Sequence, residues 1–266
     1  MSLFLERDPK RWVRLDEVDS TNAYVWRENL PGGSVVLARS QTRGRGRHGR
    51  DWCSRADDSF LFSGLLEGPL EPELLSLLPL VAGLAIRNAA LKLQPAFAHE
   101  IYLKWPNDVI LVRQGRAGKL AGVLLETEQL AATRRIVIGI GLNWRGEAPV
   151  IPEQTRSVLE PISLFVDYDR PADFFALPLV EALNAMLARL YGRENSALLS
   201  EFRSVDFLRG KLVRSDSRTS RANGIADDGA LLLIDGETGV ESRIYDTRSD
   251  LELITGAQAW PEKSSV

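Results

Sequence analysis

The segment from residue 101 to residue 144 contains four strand-like stretches in succession, and it constrains the fold more than any other part of the chain. Its first half, IYLKWPNDVILV, is typical of a strand, a turn and a second strand. Pro106 fixes a turn dihedral, and Asn107 and Asp108 favour the positions after it. Two further strands follow, GKLAGVLLE (118–126) and RRIVIGIGLNW (134–144). The pattern predicts a β-sheet at the centre of the protein.

Helices and strands alternate around this segment. Capping residues, apolar periodicity and chain breakers predict helices over 21–28, 71–93, 171–191 and 196–202, and strands over 34–38 and 59–66. Pro178 is a candidate break in the third of these helices. The alternation indicates an α+β domain, which we place at residues 1–207.

The character of the chain changes near residue 208, where the helix patterns end. Short strand-like stretches with Asp-Gly and Gly-Glu turn signals follow, namely KLVRS, GIADDGALLLID and GVESRIYD. They predict a small all-β domain over residues 208–266, of the β-barrel type.

The composition limits the kinds of function. The chain has 266 residues, 44% of them hydrophobic and 26% charged, which is typical of a folded globular protein. A single cysteine, Cys53, excludes an intrachain disulfide and suits a reducing cytoplasm, and with two histidines it is too little for a His/Cys zinc site. Magnesium held by carboxylates stays open. We find neither a signal peptide nor an apolar run of membrane-spanning length, so we expect a cytoplasmic protein without a membrane partner.

The stretch QTRGRGRHGRDW (41–52) places four arginines and three glycines within a dozen residues. Glycine lets the backbone bend and approach a ligand, and arginine offers a fork of donors that matches phosphate and carboxylate. Since the net charge is −3, any attraction for anions is local. The stretch therefore predicts a mobile loop that folds over a small polyanion. A solvated surface loop, or a nucleic-acid contact with Trp52 stacked on a base, are the alternatives.

Strand alternation assigns faces to the residues of the last two strands. In 118–126 it puts Lys119 on the face of Ala121 and Val123, and opposite Gly122, so that Lys119 either ends the strand in water or projects into a site. In 134–144 it puts Gly139, Gly141 and Asn143 on one face. Two same-face glycines leave a trough above the sheet, which suits a ligand or a closely packed element.

The order in which these motifs follow one another along the chain is typical of a known family. The series STN (20–22), QTRGRGRHGRDW, KWPNDV, KLAGVLLE and GIGLNW resembles the biotin protein ligases, strongly over about residues 15–145. The related lipoate ligases share the fold, but their Arg-Arg-x-Ser/Thr-Gly-Gly-Gly signature is not found here. A lipoate ligase or another acyl-adenylating enzyme is the main rival.

The resemblance implies a fold and a reaction. The fold would be a catalytic domain similar to class II aminoacyl-tRNA synthetases, with a mixed, largely antiparallel sheet, followed by a small SH3-like barrel. The enzyme would use ATP and Mg²⁺ to form biotinyl-5′-AMP and then pass biotin to a lysine of a biotin carboxyl carrier protein. Only about twenty residues precede STN, so the family's DNA-binding domain and a nucleic-acid partner are not expected. A homodimer is left open.

The resemblance also implies roles for particular residues. Lys119 and Arg47 would be catalytic and face the reacting carboxylate and α-phosphate. Trp52, Asn107 and Asn143 would contact the nucleotide, and Asp108 is the candidate metal ligand. The residues implied for biotin are Ser20, Thr21, Asn22, Gln41, Gly44, Arg45, Gly46, Arg47, Lys119, Gly122, Gly139 and Gly141.

Overall fold

The computed structural model describes residues 4–5, 7–69, 71–150, 159–215, 218–245 and 251–254. Its centre is a mixed sheet of seven strands in the order β1-β2-β3-β7-β6-β5-β4. Only β1 and β2 pair in parallel, and the other neighbours are antiparallel. The strands are β1 (Trp12–Val18), β2 (Val35–Gln41), β3 (Ser59–Gly68), β4 (Ile101–Lys104), β5 (Asp108–Arg113), β6 (Arg116–Leu130) and β7 (Thr133–Asn143). The sheet predicted from 101–144 is thus β4 to β7.

Strand β1 was not predicted from the sequence. It reads WVRLDEV, and only its first and last residues are buried. It lies at the edge of the sheet, where charged side chains such as Arg14 and Glu17 reach solvent. Its pattern therefore lacks the apolar run that marks the inner strands.

Five helices flank the sheet within the described residues: α1 (Thr21–Arg27), α2 (Pro72–Leu75), α3 (Leu78–Leu93), α4 (Ala176–Tyr191) and α5 (Asn195–Ser204). The predicted helix 71–93 was wrong in its continuity, because the chain breaks at Ser76 and Leu77. Pro79 explains the break: proline clashes with the carbonyl four residues earlier but suits the start of a new helix. Pro178 breaks nothing, since it lies in the first turn of α4, where no intrahelical N–H bond is made.

Helices α3 and α4 pack on each other and form much of the core. Alanine and glycine in α3 allow close packing, and ten of the 16 residues of that helix are buried. Within the described ranges one segment, 172–191, is long and apolar enough to cross a membrane by length and composition alone, but more than half of it is buried inside the protein. That burial is what a core helix shows.

A second, antiparallel sheet of five strands follows, in the order β11-β10-β9-β8-β12. Its strands are β8 (Leu212–Ser215), β9 (Arg218–Ile225), β10 (Leu231–Asp235), β11 (Glu241–Ile244) and β12 (Glu252–Leu253). It contacts the first unit at the β4–β5 turn, where Trp105 Nε1 donates to the Gly229 carbonyl at 3.0 Å. Gly229 in turn packs on Leu77.

Candidate active site

A cavity of about 370 Å³ lies over the face of the first sheet. Its walls come from the start of α1, the loop after β2, the β4–β5 turn, strands β6 and β7, and the segment around β12. All the residues predicted for the site line this cavity, with the exception of Gly44. The predicted residues that line the cavity are Ser20, Thr21, Asn22, Gln41, Arg45, Gly46, Arg47, Trp52, Asn107, Asp108, Lys119, Gly122, Gly139, Gly141 and Asn143.

The glycine–arginine loop, residues 41–52, folds as a small hairpin over this cavity. Gly46 N donates to the Arg50 carbonyl at 2.7 Å, and Trp52 N donates to the Gly44 carbonyl at 2.9 Å. A Cβ on Gly44 would lie 2.5 Å from the Trp52 carbonyl oxygen, so only glycine permits this closure. Gly44 thus shapes the loop instead of lining the cavity.

Two arginine side chains join the tip of this loop to the sheet. Both terminal nitrogens of Arg45 reach the Glu126 carboxylate, at 3.1 and 3.2 Å. Arg47 Nη1 donates to Asn107 Oδ1 at 3.3 Å. The two contacts attach the loop at two points, on β6 and on the β4–β5 turn.

The start of α1 forms a buried polar pocket. Ser20 caps the helix, as predicted, by accepting from Ala23 N. The Gln41 side-chain carbonyl accepts from both the backbone N–H and the hydroxyl of Thr21, at 2.8 and 3.0 Å. Ser63, on β3 and fully buried, lies within hydrogen-bonding distance of the Thr21 hydroxyl and of the side-chain oxygen Oδ1 of Asn22. The network fixes the direction in which Thr21 and Asn22 face the cavity.

The glycine trough on β7 holds side chains of the protein itself. The amide of Asn22 occupies the space above Gly139, where an added Cβ would meet its Cγ at 2.9 Å. The Trp52 indole lies over Gly141 and Gly122, 2.5 and 3.1 Å from the positions that added Cβ atoms would take. The sequence left open whether a ligand or a closely packed element fills this trough, and in this conformation Asn22 and Trp52 occupy it.

Two of these groups carry unused hydrogen-bonding capacity. Asn22 Nδ2 and Trp52 Nε1 are buried and have no hydrogen-bond acceptor among the described residues. A buried donor without an acceptor is costly. Both donors line the cavity, so a ligand with acceptor atoms there would satisfy them.

Lys119 reaches the cavity by a route that strand alternation does not predict. Ile110 pairs with Lys119 and Val109 with Ala121, so a β-bulge leaves Leu120 without an opposite residue. A bulge adds one residue and reverses the alternation beyond it. The assignment of Lys119 to the face of Ala121 was therefore wrong: the lysine lies on the side of Gly122, 3.5 Å from where a Cβ on that glycine would be.

Asp108 is held between two lysines on the cavity floor. Its carboxylate accepts from Lys119 Nζ at 2.7 Å and from Lys104 Nζ at 3.4 Å. Burial by itself raises the pKa of Asp108, but the two ammonium groups outweigh it, so the pKa lies below its ordinary value. The carboxylate is ionised at neutral pH, and the three groups together carry one net positive charge.

The two asparagines that the resemblance assigns to nucleotide binding differ in the hydrogen-bonding groups of their side-chain amides that are already used. Asn107 uses both ends of its amide, because Nδ2 donates to the Val123 carbonyl at 2.7 Å and Oδ1 accepts from Arg47. Asn143 Nδ2 donates to the Lys119 carbonyl at 3.1 Å, while its Oδ1 is buried without a donor in the described part of the chain. Asn143 thus offers an acceptor to a bound ligand.

The described side chains do not form a metal site of their own. They contain no group of three or more His, Cys, Asp or Glu side chains that could hold an ion. Asp108, the candidate ligand, already has an ammonium group on each oxygen. A metal ion at this position would need most of its ligands from a bound molecule.

Sequence reasoning missed several residues of this site. Lys104 belongs to the KWPND motif but was given no role, although the motif itself drew attention to it. Ser63 and Glu126 gave no local signal, since each acts on a residue far away in sequence. Leu251 and Leu253 line the cavity from the second sheet, and only the tertiary fold brings them there.

Comparison with known proteins gives a consistent result. Residues 15–143 match the model of the biotin/lipoate A/B protein ligase family. The chain is 32% identical to the biotin–[acetyl-CoA-carboxylase] ligase of Mycobacterium tuberculosis, over 87% of each chain. It is 31% identical to the enzyme of that name from Paracoccus denitrificans, over 85% of this chain and 94% of the relative.

A solved structure agrees with these relatives. The biotin protein ligase from Aquifex aeolicus, in complex with biotin and ATP, superposes with a TM-score of 0.73 at 26% identity, covering 92% of this chain and all of the other. The motifs, the mixed sheet and the cavity beneath the glycine–arginine loop agree with these matches. The chain therefore belongs to the biotin protein ligases.

Proposed function

We propose that the protein activates biotin with ATP as biotinyl-5′-AMP and transfers biotin to a lysine of a biotin carboxyl carrier protein. The observation that carries the proposal is the convergence of Lys119, Lys104 and Arg47 on one cavity. Each comes from a different element, namely β6, β4 and the glycine–arginine loop. The Aquifex aeolicus relative, whose structure holds biotin and ATP, supports the same pair of substrates.

The positive charges of Lys119, Lys104 and Arg47 can offset the charge repulsion between the two substrates in the first step. A carboxylate oxygen attacks the α-phosphorus, and the bond to pyrophosphate breaks, so two anions must meet and the transition state spreads negative charge. Fixed positive groups stabilise that charge more than they stabilise the separated reactants. Lys119 and Lys104 are pre-positioned by Asp108, whose ionised carboxylate fixes both ammonium groups before substrates arrive.

The two ends of the cavity suit the two substrates. The pocket of Thr21, Asn22 and Gln41 offers the free Asn22 amide donor to the carbonyl of the biotin ureido ring. Asn143 offers a free acceptor, which suits an amino or hydroxyl group of the nucleotide. Asn107 and Trp52 also belong to the nucleotide side in this proposal. Trp52 covers Gly141 before ligands enter, so it must shift or share the trough with them.

Cys53 also lines the cavity, and burial together with the neighbouring Asp51 raises the pKa of its thiol. The thiolate is the nucleophilic form of cysteine, so this shift disfavours a route through a cysteine thioester. In the proposed reaction the activated acid passes directly to the carrier lysine, with release of AMP.

Several finer assignments accompany the proposal. Mg²⁺ would arrive with ATP and bind mainly through its phosphates, and Asp108 is the protein carboxylate that we propose joins it. We also propose the class II synthetase-like relation of the first sheet, an SH3-like barrel for the second, and a domain boundary near residue 208. The protein would act in the cytoplasm as a ligase alone. The relatives named only as ligases, matched over 87% and 94% of their length, support this last point.

The test is to identify the activated acid. The protein is incubated with ATP, Mg²⁺ and one of biotin, lipoate or octanoate, and the acyl-adenylate is measured by mass spectrometry, before and after addition of an unmodified carrier domain. We expect biotinyl-5′-AMP only, and its conversion to biotinylated carrier. Lipoyl-adenylate in its place would move the protein to the rival acyl-ligase function, and no adenylate with any acid would refute adenylation.

A further inference from the structure

Glu126 is an acidic side chain that contacts the tip of the glycine–arginine loop. It lies on β6, seven residues after Lys119, and its side chain is 25% exposed. Arg45 approaches it with both terminal nitrogens, one to each carboxylate oxygen, at 3.1 and 3.2 Å. A paired arrangement of this kind fixes direction as well as distance.

A second donor orients the carboxylate. Trp26 Nε1, on α1, donates to Glu126 Oε2 at 3.2 Å, and the Arg135 guanidinium lies over the Trp26 ring at 5.3 Å. Glu126 therefore joins three elements: α1, β6 and the loop. Isolated surface ion pairs contribute little, but this one is partly buried and held by a third group.

The two arginines near the tip of the loop contact different parts of the molecule. Arg45 contacts the Glu126 carboxylate on β6, and Arg47 Nη1 donates to Asn107 Oδ1 on the β4–β5 turn. Removal of the Glu126 charge therefore acts on the Arg45 contact and leaves the Arg47–Asn107 hydrogen bond in place.

We propose that Glu126 is a positioning residue for biotin activation, which holds the glycine–arginine loop over the cavity through Arg45. This inference rests on the proposed function, because it assigns the ion pair to the binding of that substrate. Loss of the carboxylate charge raises the population of open loop. Biotin then binds to a smaller fraction of competent protein, while the reaction in the closed complex is unchanged.

The experiment compares Glu126→Gln with Glu128→Gln. Glutamine keeps the size of Glu126 and an acceptor for Trp26, and removes only the charge. Glu128 is the matched control, because it lies two residues further on the same strand and face, and pairs with Arg135 instead of the loop. Trp26→Phe keeps an aromatic ring and removes the donor, so we expect a smaller change in the same direction.

Two quantities are measured for each variant. The first is the rate of trypsin cleavage after the arginines of residues 43–50 without ligand, resolved by mass spectrometry from cleavage elsewhere. The second is KM for biotin and kcat for adenylate formation. For E126Q we expect loop cleavage and KM to rise about fivefold, the scale of one well-placed ion pair, with kcat within twofold. E128Q is expected to match the wild type.

Three results would overturn the proposal. In the first, E126Q does not differ from E128Q in loop cleavage or in KM. In the second, cleavage of E126Q rises equally at all sites, which indicates general destabilisation. In the third, kcat falls at unchanged KM, which assigns Glu126 to the chemical step. Failure of the proposed function is distinguishable: no variant, the wild type included, would then form adenylate, while the cleavage comparison would still decide whether Glu126 holds the loop.

Discussion

At the scale of single residues, Asp206 shows how burial alters ionisation outside the active site. It follows α5 at the junction of the two sheets, where the flanking backbone pairs with Leu103 of β4. Oδ1 accepts from Leu208 N at 2.9 Å, but Oδ2 is buried without a donor in the described residues. Burial raises the pKa of Asp206 from 3.8 to about 6, although the nearby Lys211 acts in the opposite direction.

This pKa predicts a dependence of stability on pH. The folded state binds the Asp206 proton more tightly than the unfolded state, so the free energy of unfolding falls as pH rises from 3.8 to about 6. Asp206→Asn removes the ionisable group. We expect it to stabilise the protein at pH 7.5 by up to about 3 kcal/mol, in line with a shift of roughly two pKa units, and to have little effect near pH 4.

The measurement is urea unfolding of the wild type and D206N at several pH values between 4.5 and 7.5. Asp167→Asn, the same carboxylate-to-amide change at an exposed position, is the matched control. A D206N advantage that does not grow with pH, or a loss of stability at pH 7.5, would show that Asp206 is ionised and satisfied in the folded protein.

At the scale of elements, the position of Gly141 on β7 couples the sheet to the loop. Because a Cβ there would lie 2.5 Å from Trp52 Nε1, Gly141→Ala must displace the indole. Overpacking of this kind costs on the order of 1–3 kcal/mol. We expect G141A to keep the fold, to lower the unfolding midpoint, and to raise KM for biotin and ATP about tenfold or more.

A double-mutant cycle with Trp52→Ala tests whether the effect passes through the indole. If it does, G141A adds little to a protein that already lacks Trp52, and the two changes are non-additive. Full additivity of the two changes in KM would mean that Gly141 acts independently of Trp52.

The same elements show what the sequence could and could not predict. The same-face glycines of β7 follow from a period of two, which holds along a regular strand. This period fails at Lys119, because the bulge at Leu120 depends on the pairing of β6 with β5 and cannot be recognised in the amino-acid sequence. Strand β1 was missed since it is a charged edge strand, and the break at Ser76 was missed since an apolar pattern runs across it.

At the scale of the whole molecule, the site is assembled from distant parts of the chain. Nearly all of the residues predicted from the motifs line the cavity, because each motif is local and lies on one wall. The contacts between walls could not be predicted: Arg45 and Glu126 are 81 residues apart, and Leu251 and Leu253 come from the second sheet. Such pairs depend on the packing of the two units, which no single stretch encodes.

The account as a whole depends on positive charge fixed where two anionic substrates meet, and Lys119→Ala tests it most directly. The fold should survive, because Lys104 still neutralises Asp108. The control is Lys92→Ala, which removes a lysine from an exposed ion pair with Glu181, on the outer surface. In single-turnover formation of biotinyl-5′-AMP at saturating biotin and ATP, we expect K119A to be slower by about 10²-fold or more, and K92A to match the wild type. A folded K119A that forms the adenylate within threefold of the wild-type rate would contradict the account.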